Sequence, residues 1–165
     1  MLKRDYEGQV CSIARALEVV GDRWTLLIIR DVVLGRTRFD QLSDSLGVAS
    51  NVLTDRLNRL TAEGVLERVP YNERPERFEY RLTNKGRELG LVLIALMQWG
   101  DRHLSDKPPR IARCRSDKSP VSVRLVAKDG SAIAPGDLAL LPGPGAQPTR
   151  PSTRSSRRSP KATAR

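Results

Sequence analysis

The stretch from Phe39 to Lys85 constrains the fold more than any other part of the chain. It opens on a short amphipathic segment, Phe39-Asp40-Gln41-Leu42-Ser43-Asp44-Ser45-Leu46. The tight link Gly47-Val48-Ala49 follows, and a second segment runs from Ser50 to Leu60. Beyond Gly64 stand two β-leaning runs, residues 65–69 and 78–82, with the polar loop Pro70 to Arg77 between them. Helix, short turn, helix and then an arginine-bearing ribbon is the layout of a winged helix-turn-helix. Such a layout is poor for a catalytic pocket and suits a surface that lies on duplex DNA.

The second helix carries most of the argument. Ser50 is placed to cap it by accepting a backbone N–H one turn in. Leu53, Leu57 and Leu60 recur at i, i+4 and i+7, one buried stripe at helical periodicity. At about 100° per residue, Ser50, Asn51, Thr54, Asp55, Asn58 and Arg59 fall on the other side. Those side chains carry what base-edge readout in a major groove requires: an amide for adenine, a guanidinium for guanine, a carboxylate for the cytosine amine. An ordinary amphipathic helix has a polar face too, and it is the preceding helix, the glycine turn and the following ribbon that favour recognition. Arg56 lies at the edge of the stripe, where it could hold a phosphate or brace the fold.

The ribbon would supply the second contact. Arg74 and Arg77 alternate with Glu73 and Glu76, and Pro70 and Pro75 stiffen the loop. A basic tip there would grip phosphates or enter the minor groove, positioning the domain without specifying sequence. A solvated hairpin whose charges cancel locally is the plainer reading. The net charge of +10 supports nucleic-acid binding less than its size suggests. Residues 1–107 carry only +1 of it, residues 108–145 carry +3 and residues 146–165 carry +6. Residues 68–87, with six basic side chains against three glutamates, are the polarised part of the domain.

Length allows one domain of about 105 residues plus an appendage. No apolar run approaches the roughly 20 residues of a membrane span, and no apolar leader follows Met1, so a cytoplasmic, nucleoid-associated protein is expected. Two distant cysteines and the lone His103 make neither a metal site nor a disulfide framework, and no cofactor motif is legible. Two further helices precede the helix-turn-helix. One spans about 11–20 with Ile13, Leu17 and Val20 on one face. The other spans 23–34, capped by Asp22 and apolar nearly all round, which marks it as the central core helix. A long helix runs from Asn84 to Leu104, and its apolar surface, including Val92, Leu96 and Trp99, is wider than one small domain can cover. Ile13, Leu17, Val92, Leu96 and Trp99 are therefore expected in the seam of a homodimer, whose two recognition helices would face successive major grooves of double-stranded DNA.

Several separated motifs resemble those of the HxlR-type regulators, relatives of the MarR winged-helix proteins. They are Cys11 through Ala16, Gly21-Asp22-Arg23-Trp24-Thr25-Leu26-Leu27-Ile28, Arg38-Phe39, Leu53 with Arg56-Leu57, Gly64, and Tyr80-Arg81-Leu82-Thr83-Asn84-Lys85-Gly86. The resemblance covers about residues 9–105. It implies a mainly α, dimeric winged helix-turn-helix that binds DNA to control a nearby gene, with dimer contacts from the first and last helices. It also implies Arg38 among the residues that meet the DNA backbone. Asn51 departs from the residue many relatives carry there, so an operator sequence does not carry over. Repression by blocking a promoter is the expected mode.

Cys11 stands at the start of the first helix, where the helix dipole favours a thiolate. Some members of the similar family sense electrophiles or oxidants through a cysteine at this location, so a small-molecule or electrophile effector is a possible partner. A small apolar side chain packed at the dimer seam is the competing reading. Residues 108–145 are expected to form a short β-ribbon appendage: a strand at 121–126, a turn at 128–131, and returning strands at 132–134 and 138–141. Residues 1–8 read as an arm, and residues 146–165, a basic tail with little to bury, as disordered. The domain proper then spans 9–107. A winged-helix module for protein contact or RNA is the alternative function. Enzymatic use of Cys11 is disfavoured by the lack of a plausible base.

Overall fold

A computed structural model of the chain describes Tyr6 and residues 9–146. The basic tail expected to be disordered lies, from residue 147 onward, outside the described residues, as does most of the N-terminal arm. The elements are α1 (Ser12–Val20), α2 (Thr25–Val33), α3 (Phe39–Leu46), α4 (Ser50–Ala62), β1 (Leu66–Glu73), β2 (Glu76–Leu82), α5 (Asn84–His103), β3 (Leu125–Val126) and β4 (Ala132–Ile133). Five helices and a two-stranded antiparallel wing form a winged helix-turn-helix.

The core is assembled from the stripes legible in sequence. Ile28, Ile29 and Val32 of α2 meet Leu42 and Leu46 of α3 and Leu53, Leu57 and Leu60 of α4, and Val65 and Leu66 extend the cluster to the wing. Gly47 ends α3 in the left-handed region, at φ +59°, where a side chain would be strained. α2 differs from the expectation of a helix buried all round. Leu27 and Val33 are exposed, so only one side of α2 is in the core and the other faces a cleft.

Two capping assignments also change. Asp22 does not cap α2: the helix starts at Thr25 after Trp24, which takes φ 79°, and the Asp22 carboxylate turns to arginines of α4. Ser50 does not cap α4, because the helix already includes it and Ala49 occupies the cap position without a side-chain bond. The Ser50 hydroxyl is left at the exposed first turn. The start of α5 is capped by Thr83: its Oγ1 accepts from the Gly86 N–H at 3.1 Å, and the hydroxyl reaches the Gly64 carbonyl at 2.6 Å.

The wing is longer in its strands and shorter in its loop than expected. Pairing runs from Leu66↔Leu82 through Pro70↔Phe78 and resumes at Asn72↔Arg77 and Glu73↔Glu76. The extra residue, Tyr71, forms a bulge beside Pro70, so pairing survives a residue with no N–H to donate, and only Arg74-Pro75 remain as the turn. The Tyr80 N–H donates to Thr37 O at 2.7 Å, which ties the entry to α3 onto the wing.

After α5 the chain returns along that helix, where Gln98 accepts from the Val123 N–H at 3.0 Å and donates to Val121 O at 2.8 Å. The expected ribbon is reduced to two residues a side, β3 with β4, around a turn in which Asp129 accepts from the Ser131 N–H and hydroxyl. Residues 138–141 do not return as a strand. Pro135–Asp137 form a 3₁₀ turn that leads the chain away, and Leu140 and Leu141 are exposed.

Candidate nucleic-acid interface

With Leu53, Leu57 and Leu60 fixed in the core, α4 has one rotational setting, and its outer side is decided by helix geometry. Ser50, Asn51, Thr54, Asp55 and Asn58 are all exposed there. The side chains of Ser50, Asn51, Thr54 and Asn58 make no hydrogen bond to another described residue, so their donors and acceptors are free for a ligand. The structure therefore brings five of the six expected reading residues onto one open polar surface.

Arg59, the sixth, is turned inward instead. Its guanidinium pairs with Asp22 at 2.7 Å and also donates to the Glu18 carbonyl, leaving the side chain 27% exposed. The carbonyls of the last turn of α1 have no helical partner, and a cation there is favoured by the helix dipole. That attraction turns Arg59 inward. Arg56 makes bracing contacts of its own. It is 12% exposed, donates to Arg23 O at 3.3 Å, and approaches Asp22 at 3.5 Å and the neighbouring Asp55 more closely. Asp22 thus clamps α4 to the α1–α2 junction through two arginines, with partners more than thirty residues apart in sequence. Replacing Arg59 by Leu is expected to lower the unfolding free energy by about 2 kcal/mol, because Asp22 loses a part-buried partner. Urea denaturation followed by circular dichroism measures this, and unchanged stability would contradict the bracing role.

The wing places its arginines as expected at the tip. Arg74 flanks the turn and Arg77 is on β2 opposite Asn72, both exposed. Arg38 stands just before α3, its guanidinium stacked on the Tyr71 ring at 4.2 Å. Arg68 stacks likewise on Phe78 at 3.5 Å. Neither aromatic partner was singled out from sequence, although the bulge at Tyr71 is what carries its ring to Arg38. These stacked guanidiniums keep donors free while losing freedom, which suits them to phosphate contact.

Cys11 is the residue at the N-terminal cap position of α1 and is exposed. Backbone N–H groups of Ala14 first, and then Ile13, lower its pKa from the usual thiol value, though neither makes a capping bond of full geometry. Cys114 is also lowered, chiefly by the Ser116 hydroxyl. Ile13 and Leu17 of α1 and Val92, Leu96 and Trp99 of α5 are all exposed. No group of His, Cys, Asp or Glu among the described residues could hold a metal ion, and no described helix is long and apolar enough to cross a membrane.

The profile of the HxlR-like helix-turn-helix family matches residues 19–108. The chain belongs to the HxlR-like helix-turn-helix family. An uncharacterized HTH-type transcriptional regulator of Mycobacterium tuberculosis is 42% identical over 147 residues, 87% of this chain and 92% of that one. The crystal structure of PA1607, a candidate transcription factor, aligns with a TM-score of 0.73 at 39% identity, covering 81% of this chain and 96% of the other. The redox regulator HypR in its reduced form aligns at 0.53 and 27% identity, covering 57% of this chain and 96% of HypR.

This HxlR-like protein is accordingly a DNA-binding transcriptional regulator, and α4 is the second helix of its helix-turn-helix. The share of the chain aligned with PA1607 exceeds the part matched by the HxlR-like profile, so the PA1607 likeness extends beyond the family's common domain.

Proposed function

We propose that this HxlR-like regulator is a homodimeric repressor that binds a pseudo-palindromic operator and is released from it by thiol chemistry at Cys11. The observation that carries the reading is the open face of α4, where Ser50, Asn51, Thr54 and Asn58 present free polar groups beside the exposed Asp55 on a helix locked by its opposite side. These residues read base edges in the major groove, and Arg38, Arg74 and Arg77 hold the flanking backbone. Arg56 and Arg59 set the angle of the reading helix. Ile13 and Leu17 pack with Val92, Leu96 and Trp99 across a two-fold axis, since an apolar surface left on two helices calls for a partner. Residues 9–107 form the DNA-binding unit, 108–145 its appendage, and the protein works on duplex DNA in the cytoplasm.

Titration of the reduced protein onto DNA flanking its own gene, with scrambled DNA of equal length as competitor, tests the operator reading by fluorescence anisotropy. Preferential binding of two chains per duplex is expected. Binding that ignores sequence, or engages RNA instead, would contradict it.

The thiol reading has support in the free backbone N–H groups at Cys11 and in the likeness to a redox regulator. The Cys11 thiolate would form a sulfur–carbon bond with an electrophile such as a maleimide, whose neighbouring carbon takes a proton from water. Because the lowered pKa keeps the thiolate populated at more acidic pH, the alkylation rate of Cys11 should hold up to lower pH than that of free cysteine. Mass spectrometry of a Cys114→Ser protein across pH 5–9 reads this (a range chosen about the ordinary thiol value). N-ethylmaleimide should then lower operator affinity about tenfold or more in Cys114→Ser protein and leave Cys11→Ser unaffected. Full modification of Cys11 with unchanged affinity would contradict the sensor role.

A further inference from the structure

Arg23 is exposed at the junction of α1 and α2, and its guanidinium has no ion-pair or hydrogen-bond partner among the described residues. It lies over the Trp24 ring at 5.1 Å. That ring packs against the core cluster, so the platform under the guanidinium is fixed. The main chain of the junction is fastened to α4. Arg56 Nε donates to the Arg23 carbonyl at 3.3 Å, and the adjacent Asp22 carboxylate pairs with Arg59 at 2.7 Å and with Arg56 at 3.5 Å. At about 100° per residue, Arg56 and Arg59 mark one flank of α4, and Asp55 stands between that flank and the rest of the reading face. Arg23 is thus held beside the reading face from the α1–α2 side, whereas Arg38, Arg74 and Arg77 belong to the entry of α3 and to the wing.

We propose that Arg23 is a positioning residue of the DNA complex, donating to a backbone phosphate on the wall of the major groove that α4 enters. The groove is about 12 Å wide and phosphates line both of its walls, so a side chain on the flank of an inserted helix meets backbone and no base edge. A guanidinium stacked on an aromatic ring keeps its edge N–H groups free and suits the bidentate geometry of a phosphate. Arg38 on Tyr71 and Arg68 on Phe78 are the same pairing in the wing region. Arg23 on Trp24 repeats it on the junction fastened to α4, so the helix is held to the backbone from two elements. If Arg23 only covered Trp24, any long side chain would replace it. A phosphate contact requires the charge. The contact rests on α4 being the helix that enters the groove, and not on the operator preference proposed above.

The test measures Kd by fluorescence anisotropy as a function of salt, with the full chain on DNA flanking its own gene and on scrambled duplex. Arg23→Gln should weaken both by about tenfold at physiological salt. It should also lower the slope of log K against log[salt] by about 1–2, one contact from each of two chains at about 0.9 apiece. Discrimination between the duplexes should stay as it was. Arg23→Met, which still covers Trp24, should behave as Arg23→Gln does, and Arg23→Lys should restore the slope. Arg115→Gln removes the same charge from the exposed appendage and should leave the slope unchanged. Urea denaturation should show each variant as stable as the parent chain. An unchanged slope in Arg23→Gln and Arg23→Met, or an equal loss in Arg115→Gln, overturns the contact. A lowered slope in a chain that binds both duplexes equally upholds the contact and counts against the operator reading alone. Failure to bind any duplex overturns both.

Discussion

Replacing Asn51 and Asn58 together by alanine is expected to cost about 2–6 kcal/mol of discrimination between operator and scrambled DNA, each good bidentate contact to a base being worth roughly 1–3 kcal/mol. Both amides lie on the open side of α4 and have no partner among the described residues, so the folded chain loses nothing it was using. Alanine is the better helix former, so thermal stability should hold or rise slightly. Binding to scrambled DNA should change little, because phosphate contacts supply most of it. Competition anisotropy separates the two effects. Discrimination that survives the double substitution would place sequence reading elsewhere, and loss of stability would show that the amides are structural. Arg59→Leu is the informative contrast: it should weaken the fold first, since its guanidinium is held by Asp22 and Glu18.

Gly86→Ala is expected to destabilise the domain by about 3 kcal/mol, the upper part of the range for forcing extra atoms into a packed site. A methyl group at that position would lie 2.2 Å from the Val65 carbonyl oxygen and 2.9 Å from Leu82 Cδ2. The leucine could rotate away, but the carbonyl is main chain at the head of the wing and accepts from the Thr83 N–H at 3.2 Å. α5 would have to back off β1, breaking the Thr83 cap that joins them. The sign is diagnostic. Alanine inside a helix otherwise gains about 1 kcal/mol over glycine, so a stabilised variant in urea titration would mean that α5 does not approach the wing so closely.

Periodicity carried most of the architecture. Leu53, Leu57 and Leu60 at helical spacing fix which side of α4 is buried, and the reading face follows from the same arithmetic. Gly47 and the Thr83–Gly86 pair mark their helix ends because their chemistry is local. What sequence reasoning missed depends on partners distant in the chain. Arg59 looks like a surface residue until α1 ends beside it with unsatisfied carbonyls, and Asp22, read as a cap for the next helix, is its counter-ion. The strands of the wing extend into the stretch Pro70 to Arg77 because the Tyr71 bulge lets pairing resume beyond Pro70. The composition of α2, apolar nearly all round, suggests a fully buried helix. Composition cannot distinguish a core from the wall of a cleft. Residues 138–141 have strand-like composition but no neighbouring strand to pair with.

Selection of binding sites from a random duplex library, read by sequencing, tests the central claim most directly. A pair of reading helices related by two-fold symmetry predicts an enriched inverted repeat, with half-site centres about one helical turn, roughly 34 Å, or a multiple of it apart. Asn51→Ala with Asn58→Ala should blur the half-site bases and leave the spacing unchanged. Recovery of no motif, or of one unrepeated motif bound by a single chain, would contradict a dimeric reader built on α4.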